Sequence, residues 1–246
     1  MDNIKPVLSG RDLNKSYISR DREVRPLQHV DFDLFPGEIL GIVGESGSGK
    51  STLLKVITGI EKADSGSLYH NGEEYTGAGP EKTGKFLQMI FQDAYGSFDP
   101  RMSMEKSLLE GSDAGRDEVV RVIREVGLDE EFLSRRPRHL SGGQCQRMSI
   151  ARALLSHASV LLCDEITSAL DVTTQAQVIK LLTEVRKAEN VSIILVSHDL
   201  ALVSMICDRI MVLRRGVIVD SGKTSDVIGN PSDDYTKKLL DSIIDV

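Results

Sequence analysis

Residues Ile39 to Thr52 read ILGIVGESGSGKST, an apolar run that stops at Gly44, crosses a Ser/Gly loop and ends on Lys50-Ser51-Thr52. Ile39, Leu40, Ile42 and Val43 supply a strand, while Leu53, Leu54, Val56 and Ile57 supply one apolar face of the helix that follows. A buried strand that passes straight into a helix is the opening of an α/β unit. Gly44, Gly47 and Gly49 permit backbone angles closed to other residues and leave no Cβ between the amides and an approaching anion.

The string Gly44-x-x-x-x-Gly49-Lys50-Ser51 is the P-loop pattern. The amides of Gly44, Glu45, Ser46, Gly47, Ser48 and Gly49 can curl into an anion nest, which the helix start at Lys50, Ser51 and Thr52 extends with its partial positive charge. Lys50 is expected on the β- and γ-phosphates of a nucleotide, and the Ser51 hydroxyl on Mg²⁺. Four fixed positions match by chance in about one chain of this length in a hundred, so a plain Gly/Ser turn is the weaker reading.

The chain has 246 residues, 40% of them hydrophobic and 27% charged, enough for one large domain or a domain with a subdomain. A formal net charge of −7 and the lack of a long basic run exclude nucleic acid as a default partner. Met1 to Leu8 has no apolar leader core, and no stretch nears the roughly 20 apolar residues that span a bilayer, so a soluble cytosolic chain is expected. Cys145, Cys163 and Cys207 are odd in number and lack CxxC spacing, which suggests neither a disulfide framework nor a zinc site. Cys163 reads as core.

Val7 to Leu34 reads as an antiparallel ribbon with an exposed charged turn at Ser19 to Glu23. Tyr17 lies within it; an aromatic near a P-loop could stack on a base, although taken alone it reads more readily as a strand residue packing inward. A strand follows Asp64-Ser65-Gly66, Gly72 to Gly84 reads as loop, and the apolar strand Phe86 to Phe91 ends on Gln92. The turn Asp93 to Arg101 carries Tyr95 and Phe98, which suggests a docking surface or a loop pinned to the core.

Ser103 to Gly127 has helical spacing, with Val119, Val122, Ile123 and Val126 on one face. A short charged helix is expected at Leu128 to Arg136, before Pro137. The segment 95–157 is thus expected to form a helical subdomain inserted into a core of about 1–94 and 158–246. Ser141 caps a helix whose apolar face is Met148, Ala151, Leu154 and Leu155, and Gly142-Gly143 at its start make a second possible anion nest.

Ser159 to Cys163 forms a buried strand that ends on Asp164 and Glu165. At the carboxyl end of a parallel strand, Asp164 suits Mg²⁺ and its neighbour could orient an attacking water. Val172 to Ala188 reads as a long helix. Ser192 to Val196 is a further buried strand whose end brings His198 to the same edge, within reach of a γ-phosphate. A hairpin is expected about Arg214-Arg215-Gly216, and one amphipathic helix over Pro231 to Val246.

Taken in order, these residues resemble the ATP-binding cassette (ABC) ATPases over essentially the whole chain. Leu140-Ser141-Gly142-Gly143-Gln144 is the LSGGQ signature that ordinary P-loop enzymes lack. Beside it stand the Walker A loop at 44–51, the Q-loop Gln92, the Walker B strand at 160–165, a D-loop Ser168-Ala169-Leu170-Asp171 and the switch His198. The resemblance implies an α/β P-loop NTPase core with a mainly parallel sheet, an N-terminal antiparallel β subdomain and an inserted helical subdomain. It also implies an ATPase that acts as a head-to-tail dimer with a second ABC subunit, itself or a paralogue. ATP would lie between one P-loop and the partner's Ser141, Gly142, Gly143 and Gln144, with Asp171 nearby. On this resemblance Tyr17 stacks on adenine, Gln92 contacts Mg²⁺ and the γ-phosphate, Ser51 and Asp164 hold the metal, Glu165 is the catalytic base and His198 is the catalytic switch histidine.

The stretches FQDAYGSFDPRM, DEITSALDVTTQAQVI and NPSDDYTKKLLDSI are similar to the peptide/nickel importer branch. That branch implies a peripheral protein on the cytoplasmic face of the membrane, docked on permease subunits and served indirectly by an extracytoplasmic solute-binding protein. Tyr95 and Phe98 are the expected permease contacts. Ile166 replaces the proline usual after the Walker B glutamate and is expected to loosen that turn; Cys145 stands where glutamine is common. The cysteine-bearing C-terminal extension of many oligopeptide ATPases is not seen before Val246, which leaves dipeptide, nickel or metal–opine import open. The alternative is an ATPase subunit of a soluble assembly such as carbon–phosphorus lyase. A GTPase is disfavoured, since Asn14-Lys15 is followed by Ser16 and Tyr17 rather than the guanine-specificity motif.

Overall fold

The computed structural model describes residues 5–19, 22–110 and 112–244. Strands β1 (Leu8–Ser19) and β2 (Arg22–Leu34) pair antiparallel from Leu8↔Leu34 to Ser19↔Arg22. The tip of the expected charged turn, residues 20 and 21, lies outside the described residues, as do residues 1–4 and 245–246 of the two ends read from the sequence. Strand β3 (Ile39–Val43) leads through the glycine loop into α1 (Lys50–Thr58). There follow β4 (Ser65–His70), β5 (Glu73–Glu74), α2 (Pro80–Thr83) and β6 (Leu87–Ile90).

Helices α3 (Met104–Leu109), α4 (Arg116–Glu125) and α5 (Gly142–Leu154) precede β7 (Val160–Asp164) and α6 (Val172–Glu189). The remainder is β8 (Ser192–Ser197), α7 (Leu200–Ile206), β9 (Arg209–Arg214), β10 (Val217–Lys223), α8 (Thr224–Gly229) and α9 (Asp234–Ile244). The strands form two sheets. One is antiparallel in the order β2-β1-β4-β5; the other runs β10-β9-β3-β8-β7-β6, parallel except for the edge strand β10. The protein is α/β, with an antiparallel N-terminal sheet beside a mainly parallel one and with α3 to α5 between β6 and β7.

Alternate residues of the parallel strands serve two cores, as the period-2 geometry of a strand requires. Ile39, Val43, Leu161, Cys163, Ile193 and Leu195 pack with Met148, Ile150 and Ala151 of α5 and Val178 and Leu182 of α6. Leu40, Ile42, Leu162, Ile194 and Val196 face the other way, onto Leu53, Leu54 and Ile57 of α1 and Leu13, Leu27 and Val30 of the N-terminal sheet. Each such fully buried side chain contributes about 1.5–3 kcal/mol. The result is a rigid strand layer whose carboxyl ends, after β3, β8, β7 and β6, lie along one edge.

Several local expectations are corrected. Gly72 to Gly84 is not all loop, because β5 pairs with β4 and Pro80 starts α2 at a position where its missing N–H costs nothing. Ser103 to Gly127 is two helices: the Ser112 hydroxyl donates to Leu155 O at the end of α5, and Gly115 begins α4 in extended conformation. The successor at Leu128 to Arg136 is a short 3₁₀ helix, Glu130–Ser134, ended by extended backbone at Arg135 and Arg136 before Pro137. The tail helix starts at Asp234, and α7 and α8 have too few periodic residues to stand out in the sequence.

Candidate functional site

The loop after β3 is shaped by what surrounds it. Gly49 caps α1 at φ +116°, and a Cβ there would lie 2.0 Å from the Pro26 carbonyl oxygen, so only glycine fits. Lys50 is 4% exposed and donates from Nζ to Gly44 O at 2.7 Å and Glu45 O at 2.9 Å. Burial lowers its pKa, partly opposed by the carboxylates of Glu165 and Asp164. The first amides of α1 have no intrahelical acceptor and no side-chain cap, so they remain available to an anion.

Ser51 Oγ donates to Asp164 Oδ1 at 3.1 Å, joining the first turn of α1 to the end of β7. Burial raises the Asp164 pKa, the Ser51 hydrogen bond opposing it. Glu165 follows in the left-handed region at φ +48°, fixed by its N–H to Val196 O at 3.0 Å, and turns its carboxylate toward Lys50 Nζ at 3.9 Å. His198 Nδ1, beyond the end of the neighbouring strand β8, lies 3.5 Å from Glu165 Oε2. Gln92, beyond β6, donates through Nε2 to Ser168 Oγ at 3.0 Å, and that hydroxyl donates to Glu165 O at 2.9 Å.

A cavity of about 410 Å³ opens among Pro26, Ser46, Gly47, Lys50, Ser51, Gln92 and Glu165. Its donor set fits a nucleoside triphosphate with Mg²⁺. Gly47 at φ +79° has nothing within 4 Å of where a Cβ would stand, the Ser48 hydroxyl beside the loop is buried without a partner, and the buried Lys50 ammonium, held by two carbonyls and 3.9 Å from Glu165, supplies the cation for the phosphates. Ser51 and Asp164 are the oxygens that could hold the metal. Among the described residues no group of three or more His, Cys, Asp or Glu is arranged to hold a metal ion. Tyr17 is 41% exposed with its hydroxyl on Glu61 and Lys15 Nζ 5.5 Å from its ring, so it does not pack inward.

The signature residues lie elsewhere. Ser141 and Gln144 form a capping box, in which Ser141 Oγ accepts from Gln144 N at 3.3 Å and Gln144 Oε1 from Ser141 N at 2.9 Å. Gly142 and Gly143 face Leu170 and Thr174 of the same chain, and none of residues 141–144 lines the cavity at Lys50. Asp171 caps α6, accepting from Thr174 N at 3.0 Å and Thr174 Oγ1 at 2.7 Å, and it too is absent from that cavity. The Glu45 amide is taken by Tyr235 Oη at 2.9 Å and is not free for a phosphate.

Of the two loop aromatics, Tyr95 is exposed, but Phe98 is 4% exposed beneath the Arg152 guanidinium, 4.4 Å from its ring; Phe98 is therefore no surface contact. Ile166 is buried, and Ser168 N and Leu170 N donate to Glu165 O and Thr167 O, so the turn after Glu165 is not loosened. Cys145 is buried with Sγ 3.7 Å from Pro137 O. Sequence reasoning missed Pro26, Glu61 and Tyr235; the first has no motif, and the other two reach the site only through folding.

Residues 27–168 match the ABC transporter family. The glutathione import ATP-binding protein GsiA of Shigella dysenteriae serotype 1 is 38% identical over 97% of this chain, and the chain spans 41% of that relative's length. The oligopeptide transport ATP-binding protein OppF of Bacillus subtilis is 36% identical over 96% of this chain and 82% of its own. The ATP-binding cassette MJ0796, solved as a dimer in a post-hydrolysis state bound to ADP and Pi, has a TM-score of 0.79 at 26% identity, covering 88% of this chain and 98% of that one.

Proposed function

The chain belongs to the ABC transporter family, and on that footing we propose that it binds and hydrolyses ATP as the energising subunit of an importer. The observation that supports the proposal is the convergence of Lys50, Ser51, Glu165 and Gln92 on one cavity at the strand edge, with Asp164 hydrogen-bonded to Ser51 and His198 beside Glu165. Bound Mg²⁺, held by Ser51 and Asp164 with Gln92 alongside, would neutralise phosphate charge. Lys50 and the loop amides bind the phosphates, and Tyr17 stacks on the adenine. Glu165 orients a water and accepts its proton at a carboxylate oxygen as the water oxygen bonds to the γ-phosphorus and the bond to ADP breaks. His198 steadies Glu165 through Nδ1.

The separation of the Ser141 helix start from the chain's own Lys50 cavity supports a head-to-tail dimer in which each chain completes the other's site, with Asp171 near the seam. The core at about 1–94 and 158–246 and the helical segment at about 95–157 act as two lobes of one domain. Among the described residues no helix is long and apolar enough to cross a membrane. Membrane permeases are the proposed partners at the cytoplasmic face, with exposed Tyr95 and Phe91 flanking the contact, and a solute-binding protein supplies the cargo. The relatives described above are named for import and transport, which favours this reading over a soluble assembly. A peptide-like solute fits those names better than nickel.

The test is complementation. Lys50→Ala and Ser141→Arg variants are each expected to be inactive alone, whereas their mixture regains a substantial share of wild-type turnover, because one mixed interface keeps an intact loop opposite an intact signature. A mixture as inactive as its components would overturn the shared site.

A further inference from the structure

Beyond the residues that would touch nucleotide, the mouth of the glycine loop is held from the far end of the chain. The Glu45 N–H donates to Tyr235 Oη at 2.9 Å. The carbonyl of the same Glu45 accepts from Ser48 N at 3.1 Å and from Lys50 Nζ at 2.9 Å. The Gly44 carbonyl, in the same peptide plane as the Glu45 N–H, also accepts from Lys50 Nζ at 2.7 Å, so one planar peptide group links the tyrosine hydroxyl to the phosphate-binding lysine.

Tyr235 is itself firmly set. It is 5% exposed, the Arg214 guanidinium at the end of β9 lies 4.8 Å from its ring, and its own N–H donates to Asp233 Oδ1 at 2.7 Å. The residues before it are stapled to β10, where Asp220 Oδ2 accepts from Ser232 N at 2.9 Å and Asp233 N at 3.4 Å. Helix α9 also packs on α7, the helix that follows His198.

We propose that Tyr235 is a positioning residue for nucleotide binding: its hydroxyl holds the Gly44–Glu45 peptide so that the loop and Lys50 are preset for the β- and γ-phosphates. The inference rests on the reading of this cavity as an ATP site. Without the hydroxyl the Gly44–Glu45 peptide can rotate, Lys50 loses the oriented Gly44 carbonyl, and the loop must be reordered each time nucleotide enters. The cost falls on binding rather than on the chemical step, since neither Glu165 nor His198 touches Tyr235.

The experiment is steady-state ATP hydrolysis by the full chain and its Tyr235→Phe variant, with Lys238→Ala on an exposed position of α9 as the control. Phenylalanine keeps the ring under Arg214. The expected result is a KM for ATP raised about fivefold with kcat within about twofold, the size of one lost neutral hydrogen bond, while Lys238→Ala matches wild type. Amide exchange in the nucleotide-free wild type gives a measure independent of how the variant folds: the Glu45 N–H is expected to be protected. An unchanged KM, a fall in kcat at constant KM, or an unprotected Glu45 amide overturns the proposal while leaving the ATP site intact. A wild-type chain that takes up no nucleotide overturns both.

Discussion

His198 Nδ1 and Glu165 Oε2 lie 3.5 Å apart although they leave different strands, because β8 and β7 are neighbours in register, with Asp164 opposite Val196. The carboxylate is therefore held between an imidazole on one oxygen and the buried Lys50 ammonium, 3.9 Å from the other.

Glu165→Gln keeps the size and loses the basic oxygen. ATP binding is expected within about threefold of wild type, while turnover falls by about 10²–10⁴-fold, the range for loss of a general base. Nucleotide binding and phosphate release measured on the same preparation separate the two, and turnover at the parent rate would remove Glu165 from its role.

Asp164 makes opposite demands on activity and stability. Asp164→Asn is expected to raise the Mg²⁺ concentration needed for half-maximal hydrolysis by about 10–100-fold. Burial raises the Asp164 pKa in the fold above its unfolded value, so its favourable contribution is complete below the unfolded pKa and is lost as pH rises through the folded one. At pH 7 the buried carboxylate therefore costs stability, and Asp164→Asn is expected to melt higher than wild type without nucleotide. Thermal melts between pH 7 and about 4 should show the difference shrinking as the wild-type carboxyl is protonated.

Tyr95 and Phe98 have different fates although they are close in sequence. Phe98→Ala opens a void beneath Arg152 and is expected to cost about 3–5 kcal/mol in denaturant unfolding. Tyr95→Ala, at an exposed side chain, should change stability by less than about 0.5 kcal/mol. If the loop docks on a permease, the Tyr95 variant instead weakens co-purification with it.

Tyr17 stands on the exposed side of the N-terminal ribbon with its hydroxyl on Glu61. Tyr17→Ala is expected to raise the KM for ATP by about two- to tenfold, the range for one aromatic stacking contact, and Tyr17→Phe to retain most of the affinity. A KM unmoved by Tyr17→Ala would take the ring out of the nucleotide site.

By itself the sequence determined the strand, loop and helix at Ile39 to Thr58, the parallel strands ending at Asp164 and Ser197, and the capped start at Ser141. In each, apolar periodicity and glycine or serine at a forced position act over a few residues. It also carried the identities of Lys50, Ser51, Glu165 and His198. Only the tertiary structure decided which way Phe98 and Tyr95 face, that Ser112 and Gly115 divide one helical pattern into two, that Asp171 serves as a cap, and that Tyr235 reaches Glu45. Those outcomes depend on groups far apart in the chain competing for the same space or hydrogen bond, and no local pattern encodes which of them wins.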